Sequence, residues 1–109
     1  MPIATVALPA MTIPSSTSTS NAVRNLDDSV AVSILSPAAL TSTTITIQVE
    51  PTSTGADWVT LQSGGSDVTI SAVSKAIVVN PFPFRQLRVI GNASEAADRT
   101  FTVLRTVPV

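Results

Sequence analysis

The chain has no cysteine and no histidine among its 109 residues. Without cysteine no disulfide can staple the fold, and the redox compartment leaves no trace in the sequence. Without histidine the usual general base near neutral pH is missing, together with the commonest zinc and copper ligand. Charge is scarce as well. Charged residues make up 12% of the chain, about half the usual globular share. Six basic residues against seven acidic ones leave a net charge of −1, which is no footprint for a nucleic acid. No apolar run approaches the ~18 residues that span a membrane. The N-terminus carries no basic region, and Pro2, Pro9 and Pro14 break its apolar stretch, so no secretory signal is expected.

These absences narrow the chemistry. No serine has a histidine to activate it, and a Ser–Lys pair would have to use Lys75, inside a strand-like run. A glycosidase needs two carboxyls about 5–10 Å apart in a cleft. Its candidates, Glu50, Asp57, Asp67, Glu95 and Asp98, are scattered. Asp57 lies in a Ser/Thr/Gly-rich turn, where aspartate normally bonds local backbone, and Asp27-Asp28 also reads as turn chemistry. Gly64-Gly65 lacks the Lys-Ser/Thr that completes a phosphate loop. The dispersed acids make no calcium loop. The expectation is a non-enzymatic protein with no catalytic, cofactor-binding or metal-binding residues. Its function has to be sought in surface and assembly.

What the chain does contain is apolar and hydroxyl-bearing. Hydrophobic residues are 44%, and Ser and Thr take the place of charge. Such a surface suits a subunit committed to neighbours in an assembly, because low charge is a poor recipe for a soluble monomer. A small secreted or structural domain with a neutral surface is the alternative. Arg85, Arg88, Arg99 and Arg105 gather in the last quarter. They are read as salt-bridge partners of Asp98, Glu95 or Asp67 rather than as a positive patch.

Period-two alternation dominates the chain. In Thr43–Leu61, Ile45, Ile47 and Val49 share one face, and Thr44, Thr46, Gln48 and Glu50 share the other, the signature of a half-buried strand. Trp58, Val59 and Leu61 supply a partner strand. Alternation recurs in Val30–Leu35, Val68–Ala72, Arg85–Ile90 and Arg99–Val107, and Lys75–Val79 is a short apolar run. Pro37, the Gly64-Gly65 pair and Asn80-Pro81 separate these segments. Ala38–Leu40 is read as one short helical turn. The pattern predicts an all-β fold: a single small β-sandwich or jelly-roll-like barrel of about eight short strands with an extended N-terminal arm. The expected core is Val32, Ile34, Ile45, Ile47, Val49, Trp58, Leu61, Val68, Ile70, Ile77, Val79, Leu87, Val89, Phe101 and Val103.

Residues 1–20 form the arm and residues 21–109 the sandwich domain. Three apolar pieces broken by prolines fit edge strands or an extended arm, and Ser15–Ser20 alone would be a flexible hinge. The arm either folds back as the first edge strand of its own domain or lies across a neighbour. Ile3, Val6, Leu8, Met11 and Ile13 are therefore candidate assembly contacts. Ile90 and Leu104 join them as apolar residues that the core does not absorb, as does Val78. Phe82 and Phe84, on a proline-stiffened loop, are the candidate platform if the protein instead binds carbohydrate.

The order of motifs also resembles a known class. ITIQVEPTSTGADWVTL leads through a Gly-rich hairpin to VTI, then to FRQLRVIG, and an Ala/Glu/Asp loop closes into RTFTV. This is similar to small all-β virion structural proteins of tailed bacteriophages, most of all capsid decoration (cement) proteins, over roughly residues 43–104. The resemblance implies a homo-oligomer, often a trimer, on the capsid surface of the virion. There it would bridge neighbouring major capsid subunits, with no nucleic acid or membrane partner and no cofactor. A receptor-binding or carbohydrate-binding tail module and a tail or baseplate subunit are the alternatives.

Overall fold

The structure is a computed structural model that describes residues 3–24, 31–51, 56–80 and 84–108. β-Branched side chains, stiff at χ1, favour extended backbone where they pack on a pleated surface, and here they set the strand positions. In chain order the strands are β1 (Ile3–Ala7), β2 (Met11–Ile13), β3 (Val23–Arg24), β4 (Ala31–Leu35), β5 (Ile45–Glu50) and β6 (Val59–Thr60). There follow β7 (Gln62–Ser63), β8 (Ser66–Asp67), β9 (Thr69–Ile70), β10 (Ala76–Val79), β11 (Gln86–Gly91) and β12 (Arg99–Pro108). Among the described residues there is no helix. The turn expected at Ala38–Leu40 is irregular chain, because it leads directly into the amides of Thr41 and Ser42, which a carboxylate across the molecule holds.

The strands form an all-β sandwich of two antiparallel sheets. The first has the order β1-β12-β4-β10, with β2 also on β12. The second has the order β3-β11-β5-β6, with β9 also on β5. The hairpin β7–β8 stands apart, turned by Gly64 and Gly65 at φ 62° and 84°, angles that glycine adopts without strain. Inward residues of both sheets make the core. Val32, Ile34, Phe101 and Val103 from the first sheet meet Ile45, Ile47, Val49, Leu87 and Val89 from the second, each no more than 1% exposed. Register fixes this: Val103 pairs with Ile34, and Val89 pairs with Ile47. A slip of one residue would turn every one of these side chains outward.

The expected strand count of about eight rises to twelve among the described residues because prolines and glycines cut the extended runs. Three further differences stand out. Trp58 is half-buried rather than a core plug, and Leu61, Val68 and Ile77 are partly buried against the core rather than within it. Met11, Ile13 and Val23, absent from the expected core, belong to it. Ser15–Ser20 is no free hinge. Its backbone is stitched to the 89–98 segment by Ser16 N–H to the Glu95 carbonyl (2.7 Å), Glu95 N–H to Thr17 O (2.9 Å), Gly91 N–H to Ser18 O (2.7 Å) and Ser20 N–H to Val89 O (3.0 Å).

The N-terminal segment runs along its own domain. β1 pairs with the C-terminal half of β12, Leu8 N–H bonds Val103 O at 2.9 Å, and β2 pairs with the first residues of β12. A ten-residue strand thereby has its whole edge occupied, which is how a sheet avoids a bare row of amides. Pro9 falls in the gap between β1 and β2, where no ladder bond is lost.

Candidate functional site

The predicted assembly contacts separate into three groups. Met11 and Ile13 are wholly buried, Leu8 packs against the core, and Val6 is 38% exposed on the outermost strand. Ile3 is in register with Pro108. Leu104 lies on the outer face of the first sheet and Ile90 on that of the second, where Thr19 bridges to it. The fold therefore does not bring these residues into one patch. Phe84 is partly buried against the core, and Phe82 lies outside the described residues.

Charged chemistry concentrates at two places. The first is the Ala93–Asp98 loop, where Glu95 is 1% exposed. Its carboxylate accepts the backbone N–H groups of Thr41 (2.7 Å) and Ser42 (2.9 Å), the Ser42 hydroxyl (2.6 Å) and the Arg99 guanidinium (3.0 Å). Burial pushes this carboxyl's pKa up, but the bonds from Ser42, Thr41 and Arg99 outweigh it and hold the group down at about 2, as multiply hydrogen-bonded carboxylates behave. Gly91 completes the knot. A Cβ there would overlap the Ser42 hydroxyl, so the backbone approach needs glycine. Asn92 accepts the Thr43 N–H at 3.0 Å and donates to the Thr43 hydroxyl at 2.8 Å. This cluster fastens loops, and both oxygens of the Glu95 carboxylate are held by protein donors.

The second place is the outer face of the second sheet. Glu50 and Gln86 are register partners and point outward, yet they are 0% and 1% exposed. The Gln86 amide donates to Glu50, and the Asp57 N–H donates to the other Glu50 oxygen at 2.7 Å. Arg88 donates to the Gln48 side chain at 2.8 Å and lies 4.3 Å from the centre of the Trp58 ring. One face of the indole thus already has a cation on it. The Trp58–Arg88 pair was invisible to sequence reasoning, which placed Trp58 inside. The signal was there in principle, because Arg88, Gln48 and Thr60 fall in one row across three strands.

Two shallow grooves flank β10, of about 290 Å³ beside Leu61, Val68 and Val79 and about 220 Å³ beside Ile70, Lys75 and Ile77. Their walls mix aliphatic side chains with polar ones such as Gln62, Asn80 and Thr69, and Lys75 is the only charged side chain among the lining residues. No group of three or more potential metal-ligating side chains occurs among the described residues. No helix of the described residues is long and apolar enough to cross a membrane.

No family model and no curated protein sequence matches the chain. Two solved structures share its fold. One is the protein YomS derived from the SPBc2 prophage: TM-score 0.64, 9% identity, covering 96% of this chain and 93% of that one. The other comes from Bacillus endospore appendages, described as a family of disulfide-linked pili: TM-score 0.50, 14% identity, covering 97% and 89%. The present chain has no cysteine with which to form such links. At these identities the likeness is one of fold, and it is a fold shared by a prophage-derived protein and an appendage subunit.

Proposed function

We propose that the protein is a non-enzymatic virion structural subunit: a capsid decoration (cement) protein that associates with its own copies and binds the major capsid protein at the virion surface. The observation that carries this reading is the end-to-end likeness to a prophage-derived protein, which extends over nearly all of both chains. Supporting it, the titratable groups that are buried, such as Glu95, are consumed in fastening loops. The exposed large apolar side chains Val6, Leu35, Val59, Val73 and Val78 all belong to strands or their connections. The test is binding of purified protein to shells assembled without it, followed by density for the bound chain. Decoration predicts saturable binding and density on the head. Density on the tail, or no binding, overturns it.

A second reading has one observation in its favour. Trp58 is only partly buried beside Gln48 and Arg88, the kind of aromatic-plus-polar surface that a carbohydrate-binding module presents. Arg88 already occupies one face of the ring. Glycan binding abolished by Trp58→Ala would favour this reading over decoration.

A further inference from the structure

The outer face of the first sheet carries no charged side chain among the described residues. The registers place it row by row. Ala7, Leu104, Ser33 and Val78 line up across β1, β12, β4 and β10. Thr102, Leu35 and Ala76 form the row on one side, and Thr5, Thr106 and Ala31 the row on the other. All are exposed or half-exposed, with Val78 at 66% and Leu35 at 37%. The nearest cations, Lys75 and Arg105, fall on the opposite parity of their strands. Soluble sheets normally guard exposed faces and edges with charge, especially lysine. Among the described residues this guard is missing from the outer face of all four strands.

We propose that this face is the interface through which two copies of the chain associate, sheet against sheet about a two-fold axis. The proposal rests on the homo-oligomeric part of the function proposed above and assigns a surface to it. Three features select a second copy as the occupant. First, a face of methyls and hydroxyls is complementary to itself. Each threonine donates and accepts, so a two-fold rotation matches the patch to its own image, as an isologous contact requires. A strongly charged partner would find no countercharge here. Second, small residues flank the larger Leu104, Leu35 and Val78, so two such faces can approach to the ~10 Å spacing of packed sheets. Third, the size suits a weak pair. The four strands, of 5, 10, 5 and 4 residues at ~3.3 Å per residue and ~4.8 Å apart, span roughly 400 Å² in projection. That is about half the ~800 Å² per partner of a standard interface, the range of weak, concentration-dependent contacts. A self-matching patch builds pairs, whereas a trimer needs two different patches.

The experiment uses the full chain. Analytical ultracentrifugation of the wild type, Val78→Glu, Thr102→Glu and Thr46→Glu is run beside a shell-binding assay on the same samples. Thr46 lies on the opposite sheet's outer face and serves as the control. Circular dichroism on each confirms the fold. The expected result is a wild-type dimer, a dissociation constant raised at least tenfold by Val78→Glu and by Thr102→Glu, and no comparable change with Thr46→Glu. A dimer or trimer insensitive to both first-sheet variants overturns this interface while leaving homo-oligomerisation in place. A wild type that stays monomeric at high concentration also overturns it, and the shell-binding arm then judges decoration separately. Loss of shell binding by Val78→Glu with the dimer intact overturns it too, and gives the face to the capsid instead.

Discussion

The two outer faces of this sandwich rest on one core yet are built from opposite chemistry. On the second sheet, outward positions hold Glu50, Gln86, Gln48 and Arg88, and each is bonded to a neighbour or to the 56–58 segment folded over it. On the first sheet, outward positions hold Ala, Thr, Ser, Leu and Val, open to solvent. The difference shows what several of the few charged residues do. Glu50, Arg88 and Glu95 fasten a connection or a neighbouring side chain, and among the described residues the outer face of the first sheet has no such charge. The burial of Glu50 at an outward position follows from this: its carboxylate accepts the Asp57 N–H at 2.7 Å, which holds the 56–58 segment beside it.

The largest expected effect breaks what both faces share. Met11 and Ile13 are 0% exposed, although they sit on an N-terminal segment that the sequence alone allows to lie on a neighbour. Met11→Ala or Ile13→Ala should each cost about 2–5 kcal/mol, measured as a drop in denaturant midpoint from the wild type that is the same at every protein concentration. A loss that appeared only at concentrations where copies associate would mean that these side chains serve a partner.

The next effect is a pH dependence at the loop knot. The Glu95 carboxyl is held at about 2 instead of an ordinary 4.5. A depressed folded-state pKa stabilises the protein above the unfolded pKa, and that stability is lost as the unfolded chain takes up the proton first. The contribution, of order 3 kcal/mol, should be complete above about pH 4.5 and gone near pH 2. Glu95→Gln should flatten this part of the stability–pH curve and lower stability at neutral pH, because Ser42 and Arg99 lose their anionic acceptor. An unchanged curve would remove Glu95 from that role.

The strands were legible because they depend on local pattern. The alternation of Ile45, Ile47 and Val49, or of Leu87 and Val89, reads directly as an inward face, and the all-β sandwich follows from repeating it. The loop knot depends on partners far apart in the chain. Thr41 and Ser42 lie 54 and 53 residues from Glu95, and nothing local distinguishes Glu95 from Asp98. Only the general expectation that late arginines pair with nearby acids reached it, through Arg99. Trp58 shows the complementary failure. Size and neighbouring alternation pointed inward, but the strand beginning at Val59 is only two residues long, and the ring rests on the outward Arg88 instead.

A smaller effect isolates the second face. Arg88→Ala removes the cation over Trp58 and the bond to Gln48, and should cost about 1–2 kcal/mol. Trp58 is the only tryptophan, so its fluorescence reports this face alone. The emission should move to longer wavelength as the ring gains water, while the core signal in near-ultraviolet circular dichroism from phenylalanine stays. An unmoved spectrum would mean that Arg88 does not shelter the ring.

The smallest effect on the monomer sharpens the contrast most. Val78→Glu and Thr46→Glu place the same charge on opposite faces, and at concentrations too low for association each should shift stability by no more than about 0.5 kcal/mol. Val78 is 66% exposed, so the carboxylate remains in water. Thr46 is half-buried between Ile90 and Thr69 on its own face. Equal and small monomer effects mean that neither face stabilises the folded chain. Unequal ones, with Val78→Glu the costlier, would show that the uncharged surface contributes to folding itself, and its lack of charge would then need no partner to explain it.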